Sequence, residues 1–347
     1  MPSKVVLVTG VGGELGGRLF ARLGNHPDFD RVIGIDTAAP RKQVLRRLGR
    51  AEFVRADIRN PLIARVIADA EVDTVVHAAT TCHPAGPARR APLKEVNVIG
   101  TMRLLAACQR SASVRKLVVK SSAAVYGAGA RSQAVFTEDS ELIPASSTGY
   151  AKDAVEMEGY VRGLARRRPD ITVTTLRFAN LIGPDVDTVL SRYFALPVVP
   201  TVLGYDARLQ LLHSGDGLAV LESAATEDKP GVFNVASDGV LTLSQAIRRA
   251  GRVELPVPRA VVPSVAKVLR GAHVVNFSED QVRLLNYGRV VDTTRLKEVF
   301  GYRPRWTTAA AFDDYVRGRG LRPVVDGEQL ATAAGKVFTA AATGQAR

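Results

Sequence analysis

One stretch near the start of the chain decides the fold: Thr9-Gly10-Val11-Gly12-Gly13-Glu14-Leu15-Gly16. It follows a β-branched run and leads into an amphipathic one, so it is expected to join a strand to a helix. Gly10 allows the tight turn, Gly13 lets the backbone approach a diphosphate, and Gly16 lets the helix pack closely on the sheet. Because N–H groups at a helix N-terminus donate to phosphate oxygens, the loop predicts a dinucleotide site. Its predicted cofactor-binding residues are Gly10, Gly13, Glu14, Leu15 and Gly16.

An acidic residue, Asp36, ends the next strand candidate, 20 residues after Gly16. A carboxylate at that position accepts hydrogen bonds from both ribose hydroxyls of NAD and repels the 2′-phosphate of NADP. Arg41 and Lys42 follow closely and weaken this preference. The sequence therefore predicts NAD as the cofactor.

Runs rich in β-branched residues alternate with amphipathic stretches in the first half of the chain, a pattern typical of a parallel sheet with helices on both faces. The strand candidates are residues 4–9, 31–36, 52–56, 74–78, 115–121, 172–178 and 231–236. The helix candidates are residues 15–23, 63–70, 93–110, 151–168 and 245–250. This order predicts an α/β fold, a Rossmann-type doubly wound parallel sheet that binds its ligands at the carboxyl ends of the strands.

The alternation loosens after about residue 180, where proline-rich stretches such as Leu196-Pro197-Val198-Val199-Pro200 interrupt it. We therefore predict a smaller C-terminal substrate lobe beside the Rossmann sheet. The predicted units are an NAD-binding domain, residues 1–180 with 208–244 returning to it, a substrate-binding lobe, residues 181–207 and 245–325, and a mobile tail, residues 326–347.

The charge of the chain favours anionic ligands, because 47 Lys and Arg against 34 Asp and Glu give a formal net charge of +13. The densest basic run, residues 41–50, lacks interleaved aromatic residues and predicts a solvated helix face rather than a nucleic-acid site. A membrane surface is a further candidate partner through the apolar segment 193–199, for which core packing is the alternative. No apolar stretch approaches the roughly 18 residues of a membrane span, so we predict a cytoplasmic protein.

The cysteine and histidine content argues against a metal site. Cys82 and Cys108 are the two cysteines, and their spacing is not that of metal ligands. His77 ends a predicted buried strand and is interpreted as a core histidine with satisfied hydrogen bonds rather than as a catalytic base. We expect no metal.

Further motifs follow the glycine loop in a fixed order: Asp57-Ile58, His77-Ala78-Ala79, Asn97-Val98-Ile99-Gly100-Thr101, Ser121-Ser122-Ala123-Ala124-Val125-Tyr126-Gly127, Leu176-Arg177-Phe178-Ala179-Asn180 and Asp216. Together they resemble the extended short-chain dehydrogenase/reductase family of NAD-dependent sugar-nucleotide epimerases and dehydratases, typified by UDP-glucose 4-epimerase, and within it an atypical actinobacterial branch. The resemblance implies that Asp57 and Ile58 bind the adenine and that Ala78 and Ala79 line the cofactor. It also implies a homodimer.

The family's catalytic pair is a tyrosine and a lysine four residues apart, which share one face of a helix. The lysine stabilises the tyrosinate and holds the nicotinamide ribose, while the tyrosine exchanges a proton with the substrate hydroxyl. Matching Lys152 to that lysine places Thr148 in the tyrosine position. Tyr150 precedes Lys152 by two residues, about 200° around a regular helix, and can act only if the helix starts after it. Tyr126 is a second phenol that could reach the pocket, and Ser122 ends a predicted strand, where its hydroxyl can bond a substrate oxygen.

The predicted catalytic residues are therefore Ser122, Thr148, Tyr150 and Lys152. Because an aliphatic hydroxyl is far less acidic than a phenol, a threonine loses much of the acid–base catalysis. Two functions follow. One is an epimerase- or dehydratase-like enzyme with reduced or altered catalysis on a sugar-nucleotide-like or other anionic, hydroxylated small molecule. The alternative is a catalytically degenerate NAD-binding sensor or assembly protein.

The substrate lobe also departs from the family. Many of its sugar-nucleotide enzymes carry a diphosphate-binding arginine seven residues before the aspartate that matches Asp216, and Leu209 occupies that position here. Arg208 is one residue away, but a shift of one residue on a strand points a side chain to the other face. Arg283 and Arg289 are further candidates for an anionic substrate, and the alternative for both is a surface position.

Overall fold

A computed structural model describes residues 4–79, 94–143, 149–261 and 277–324. The strands in these residues are β1 (Val5–Thr9), β2 (Arg31–Asp36), β3 (Ala51–Arg55), β4 (Thr74–His77), β5 (Lys116–Ser122), β6 (Thr172–Phe178), β7 (Asn180–Ile182), β8 (Val198–Val202), β9 (Arg208–Leu209), β10 (Leu211–His213), β11 (Gly231–Val235), β12 (Leu241–Thr242) and β13 (Val253–Val257). The helices are α1 (Glu14–Gly24), α2 (Lys42–Leu45), α3 (Leu62–Asp69), α4 (Thr101–Arg110), α5 (Tyr150–Arg167), α6 (Val189–Ala195), α7 (Ser214–Thr226), α8 (Leu243–Arg249), α9 (Glu279–Tyr287), α10 (Thr294–Glu298) and α11 (Thr308–Gly318).

Seven parallel strands of the described chain form the central sheet, in the order β11-β6-β5-β4-β1-β2-β3. The strand order reverses between β1 and β4, which opens a crevice at the carboxyl ends of these two strands. The predicted fold class, a Rossmann-type doubly wound parallel sheet, is confirmed. All seven strand candidates of the sequence form strands of this sheet, with ends that differ by one residue at most.

Apolar side chains of the central strands point alternately to the two faces of the sheet, as strand geometry requires. On one face, Val6, Val118 and Leu176 pack in a cluster with side chains of α1 and α7. On the other face, Leu7 and Leu117 pack with side chains of α3, α4 and α5. The sheet is therefore covered on both sides, which explains the nearly continuous apolar sequence of its strands.

A further apolar cluster lies within the part of the chain that follows β6. It joins side chains of α6, α8, α9 and α11 and includes Tyr193, Phe194 and Phe312. The segment 193–199 therefore packs in the core, since Tyr193, Phe194 and Val199 are almost fully buried. Within residues 208–244, α7 and β11 join the central sheet and its helices, whereas Leu209 and Leu241 pack in this cluster. The division into domains by residue number stays a prediction.

The predicted helix 93–110 has an irregular first half. Residues Glu95–Gly100 form a π-helical segment, and the regular helix α4 begins only at Thr101. A Cβ at Gly100 would approach Ile58 Cδ1 to 2.5 Å, so the segment lies very close to the loop after β3. Such wide helical turns are frequent beside functional sites. Leu93 lies outside the described residues.

The helix after β12, predicted over residues 245–250, begins two residues earlier, at Leu243. Thr242 is its N-cap, and the Thr242 hydroxyl accepts a hydrogen bond from the Gln245 N–H at 3.3 Å. Gln245 in turn accepts from the Thr242 N–H at 3.1 Å, which completes a capping box. Within the described ranges, no helix is both long and apolar enough to cross a membrane.

Candidate functional site

A cavity of about 430 Å³ opens at the carboxyl ends of β1 and β2. Its lining brings together ten of the predicted cofactor-binding residues: Gly10, Gly13, Glu14, Leu15, Gly16, Asp36, Asp57, Ile58, Ala78 and Ala79. They come from the loop before α1 and from the ends of β2, β3 and β4. The edge of the sheet therefore gathers, in one place, residues that are separate in sequence.

The glycine loop is packed too closely for side chains. Gly10 has φ +80°, and a Cβ there would lie 2.6 Å from the Ala79 Cα. A Cβ on Gly16 would collide with the Gly10 carbonyl group. The loop thus brings bare backbone to the cavity, and Gly13 is the N-cap of α1, whose first N–H groups have no helical acceptor. This cradle fits the diphosphate of NAD.

Asp36 is held in place by backbone donors on both of its oxygens. Its Oδ2 accepts from the Gly12 N–H and its Oδ1 from the Ala38 N–H, each at 3.0 Å. The carboxylate is thereby fixed at the tip of β2 beside the glycine loop. Arg41 contacts Glu14 across the loop, with 2.5 Å between Nη1 and Oε2. A carboxylate in this position fits ribose hydroxyls and opposes a 2′-phosphate.

Asp57 forms the far side of the cavity and is ionised. Arg59 binds it through two side-chain nitrogens, with 2.6 Å between Arg59 Nη2 and Asp57 Oδ2. These hydrogen bonds hold the pKa of the Asp57 carboxyl below its usual range. Arg59 also contacts Glu95 at 2.8 Å, which ties the loop after β3 to the π-helical segment.

His77 is a buried structural residue. Its Nε2 lies 2.8 Å from the Thr101 hydroxyl oxygen, and its Nδ1 lies 2.8 Å from the Thr9 hydroxyl oxygen. Because the Thr101 hydroxyl donates to the Asn97 carbonyl, it must accept from Nε2–H, which leaves Nδ1 to accept from Thr9. Burial lowers the pKa of His77 to about 4, so the ring is neutral at physiological pH. This confirms the interpretation of His77 as a satisfied core histidine.

A second cavity, of about 120 Å³, adjoins the first at the end of β5. Ser122 and Tyr150 both line it, as do Lys120, Asp280 and Arg289. Lys120, Leu181 and Thr188 line both cavities and mark where they meet. The rest of the lining is largely apolar, from residues such as Phe178, Leu190, Phe277 and Leu284.

The start of α5 sets the position of Tyr150. Tyr150 is the first residue of the helix, so the helix does not start after it, and the expected condition for Tyr150 to act together with Lys152 is not met. Gly149 before it has φ +94°. Asp280 of α9 accepts a hydrogen bond from the Ala151 N–H at 3.2 Å. A carboxylate near a helix N-terminus also interacts favourably with the helix dipole. Tyr150 thus lines the cavity at the N-terminus of α5, directly after the turn at Gly149.

Lys152 stands elsewhere on the same helix. It lies two residues after Tyr150, and the described lining of these two cavities does not include it. Ala154 and Glu158, four and eight residues after Tyr150, are buried against the sheet. The helix therefore presents Tyr150 to the cavity, with alanine at the position four residues later. Thr148, the residue matched to the family tyrosine, lies outside the described residues.

Glu158 belongs to a buried ion pair that fixes α5 to the sheet. Arg177 on β6 donates to it, with 2.7 Å between Nη2 and Oε2, and both side chains are almost fully buried. Arg177 also donates to the Tyr126 hydroxyl at 2.8 Å, and Tyr126 donates to Asn234 Oδ1 at 2.7 Å. Tyr126 is therefore a member of this core network, and the described linings of the two cavities do not contain it.

The arginine candidates of the substrate lobe occupy different environments. Leu209 is buried, whereas Arg208 is exposed and donates to the Ala134 carbonyl at 3.0 Å. Arg289 lines the second cavity, and its Nε donates to the Gly127 carbonyl at 2.7 Å. Burial lowers the pKa of Arg289 to about 10, which still leaves it protonated at neutral pH. Arg283 is exposed, so Arg289 is the candidate that contacts the cavity.

Sequence reasoning missed Lys120 and Asp280. Lys120 has a signal in the sequence, because it precedes Ser122 by two residues and alternate residues of a strand share a face. Asp280 has none, since it comes from a helix far along the chain. In the part of the chain that the structure describes, no three His, Cys, Asp or Glu side chains form a group that could hold a metal ion.

Comparisons with known proteins agree with this geometry. A family model described as the NAD dependent epimerase/dehydratase family matches residues 6–236. The uncharacterized protein Rv0501 of Mycobacterium tuberculosis is 56% identical over 323 residues, which cover 93% of this chain and 86% of that protein.

Solved structures share the fold at low sequence identity. The UDP-glucose 4-epimerase of Thermotoga maritima, solved with UDP-glucose, is 21% identical with a TM-score of 0.69, covering 90% of this chain and 98% of that one. The UDP-glucuronic acid 4-epimerase of Bacillus cereus, solved with UDP-glucuronic acid and NAD, is 17% identical with a TM-score of 0.71, covering 91% and 99%. The dTDP-glucose 4,6-dehydratase of Bacillus anthracis, solved with NAD, is 18% identical with a TM-score of 0.69, covering 95% and 100%.

Proposed function

Because the chain belongs to the NAD-dependent epimerase/dehydratase family of extended short-chain dehydrogenases/reductases, and NAD is therefore its cofactor, we propose that it oxidises and re-reduces a hydroxyl-bearing carbon of a sugar-nucleotide-like substrate. One observation carries this proposal. Ser122 and Tyr150, a hydroxyl and a phenol, line a cavity that adjoins the cofactor cavity.

Tyr150 and Ser122 have different roles in the proposed hydride transfer. Bound in the cofactor cavity, NAD would supply the hydride acceptor for the carbinol carbon of the substrate. Ionised Tyr150 takes the proton of the carbinol hydroxyl, so the carbon–oxygen bond becomes a carbonyl, and the reverse transfers restore an alcohol. Ser122 Oγ accepts from the Ala124 N–H at 3.1 Å and donates its own proton to the substrate oxygen. Thr148 is not needed in this scheme.

The lining of the second cavity supports an anionic substrate. Arg289 presents a positive charge there, and the guanidinium group matches phosphate or carboxylate oxygens. Phe178, Leu190 and Leu284 supply apolar surface for the uncharged part of the substrate. Asp280, Leu284 and Arg289 follow residue 244, so we assign the substrate-binding lobe to residues 181–207 and 245–325, of which 262–276 and 325 lie outside the described residues.

Turnover of sugar nucleotides tests the proposal. NAD-loaded protein is incubated with UDP-glucose, UDP-glucuronic acid and dTDP-glucose, and NADH absorbance and the products are measured. We expect Tyr150→Phe to lower kcat by roughly 10²- to 10⁴-fold, because it removes the acid–base group. Tyr160→Phe, on the same helix and packed against an apolar cluster, is the matched control and should keep the rate. Binding of NAD by wild-type protein without conversion of any substrate contradicts the proposal.

A second candidate function has its own supporting observation. With Lys152 matched to the family lysine, Thr148 stands in place of the family tyrosine, and Tyr150 has Ala154, which is 3% exposed, four residues after it. A catalytically degenerate NAD-binding sensor or assembly protein accounts for this loss. That function predicts tight NAD binding and identical, zero turnover in wild type and Tyr150→Phe.

A further inference from the structure

Lys120 occupies the junction of the two cavities. It lies on β5 two residues before Ser122, so the two side chains point to the same face of the sheet. Lys120 lines both the cavity that holds the cofactor-binding loop and the cavity that holds Tyr150. Its side chain is half-buried, which limits screening of its charge by water.

We propose that Lys120 supplies the positive charge that stabilises ionised Tyr150, in place of a lysine four residues after the tyrosine. This inference rests on the proposed function, because it assigns the phenol of Tyr150 as the proton acceptor. Lys120 acts through Tyr150 and is therefore a positioning residue for the proton transfer. Because Lys120 lies on β5, the positive charge in this proposal comes from the sheet and not from helix α5.

At the position four residues after Tyr150, helix α5 carries an alanine and not a cation. Ala154 lies four residues after Tyr150, on the same face of α5, and packs in an apolar cluster with Val125 and Tyr126. Lys152 is rotated by about 200° from Tyr150 on a regular helix. Among the residues that the structure describes, the cations that line the cavity of Tyr150 come from β5 and from the segment after α9.

The charges around the phenol favour this assignment. Among the described residues, the charged side chains that line the cavity of Tyr150 are Lys120, Asp280 and Arg289. Asp280 opposes ionisation of the phenol, since a like charge raises its pKa, whereas Lys120 and Arg289 favour it. Lys120 differs from Arg289 in that it also lines the cofactor cavity. The charge of Lys120 also acts at the end of β4, where it contributes to the lowered pKa of His77.

The test is a titration of the Tyr150 phenol by NMR, in NAD-loaded protein labelled at the Cζ atoms of tyrosine. Tyr150→Phe assigns the signal. We expect Lys120→Met to raise the pKa of Tyr150 by about one unit or more, equivalent to a tenfold or greater loss of phenolate. Lys120→Arg, which keeps the charge, should restore most of the phenolate, and Lys120→Gln is the second variant in case the Met variant does not fold.

Lys116→Met is the matched control. Lys116 lies on the same strand and face as Lys120, at the other end, where it contacts Asp228 at 3.0 Å. Its removal should leave the Tyr150 titration unchanged. An unchanged titration in Lys120→Met and Lys120→Gln overturns the proposal, and so does a shift in Lys152→Met that the Lys120 variants do not show.

Failure of this inference is separable from failure of the proposed function, because the titration requires no substrate. A raised pKa of Tyr150 in the Lys120 variants, without turnover of any sugar nucleotide by the wild type, supports the role of Lys120 and contradicts the proposed enzymatic function. Turnover whose pH profile is the same in wild type, Lys120→Met and Lys120→Gln supports the enzyme and contradicts the role of Lys120.

Discussion

At the scale of single residues, His77 links the site to the stability of the protein. Burial lowers its pKa from an ordinary 6.5 to about 4, so the folded chain takes up a proton only at low pH. The unfolded chain takes up that proton near pH 6.5. The contribution of neutral, buried His77 to the free energy of unfolding is therefore complete above about pH 6.5 and is lost as the pH falls towards 4.

We predict that the free energy of unfolding falls by up to roughly 3 kcal/mol between pH 6.5 and 4 through His77. Urea denaturation at several pH values measures this dependence. His77→Asn should be less stable at pH 7 and should show a smaller slope with pH. Equal slopes in wild type and His77→Asn contradict the prediction.

At the scale of secondary-structure elements, the loop before α1 combines packing with binding. We predict that Gly16→Ala lowers the free energy of unfolding by about 1–3 kcal/mol, because its Cβ collides with the Gly10 carbonyl group. The displaced loop should also bind NAD at least tenfold more weakly. Urea denaturation and calorimetric titration with NAD measure the two effects.

Gly159→Ala is the control for that substitution. Gly159 lies within α5, and the nearest atom to its added Cβ is the Arg162 Nη2 at 3.9 Å. Alanine in an open helical position is favoured over glycine by about 1 kcal/mol. Gly159→Ala should therefore stabilise the protein and leave NAD binding unchanged. A stable Gly16→Ala variant with wild-type affinity contradicts the close packing of the loop.

The elements of the sheet were predictable because their signals are local. A glycine loop between a β-branched run and an amphipathic run indicates the cofactor site, and Asp36 follows at a fixed spacing. The position of Tyr150 was not readable in this way, since it depends on the sharp turn at Gly149 and on Asp280 from a distant helix. Arg289 could be suggested only as a candidate, because its approach to the cavity depends on how the last third of the chain packs.

At the scale of the whole molecule, the cofactor cavity connects distant parts of the chain. Besides the loop before α1, its lining includes Leu181 and Val186 after β6 and Ser214 at the start of α7. Its lining includes members of the apolar clusters on both faces of the sheet, Leu15 from one and Ile58 from the other. The binding free energy of a ligand in this cavity should therefore stabilise the fold as a unit rather than one part of it.

We predict that NAD at about one hundred times its Kd raises the free energy of unfolding by about 2.7 kcal/mol. Asp36→Asn should weaken NAD binding by roughly ten- to a hundredfold, because it removes charged hydrogen bonds to the ribose. The same NAD concentration then stabilises the variant by about half as much or less, and the variant discriminates less against NADP. Thermal unfolding with each nucleotide measures both effects, and Asp69→Asn, an exposed carboxylate on α3, is the control. Equal stabilisation of the wild type by NAD and NADP, or a wild-type response of Asp36→Asn, would show that this carboxylate does not select the cofactor.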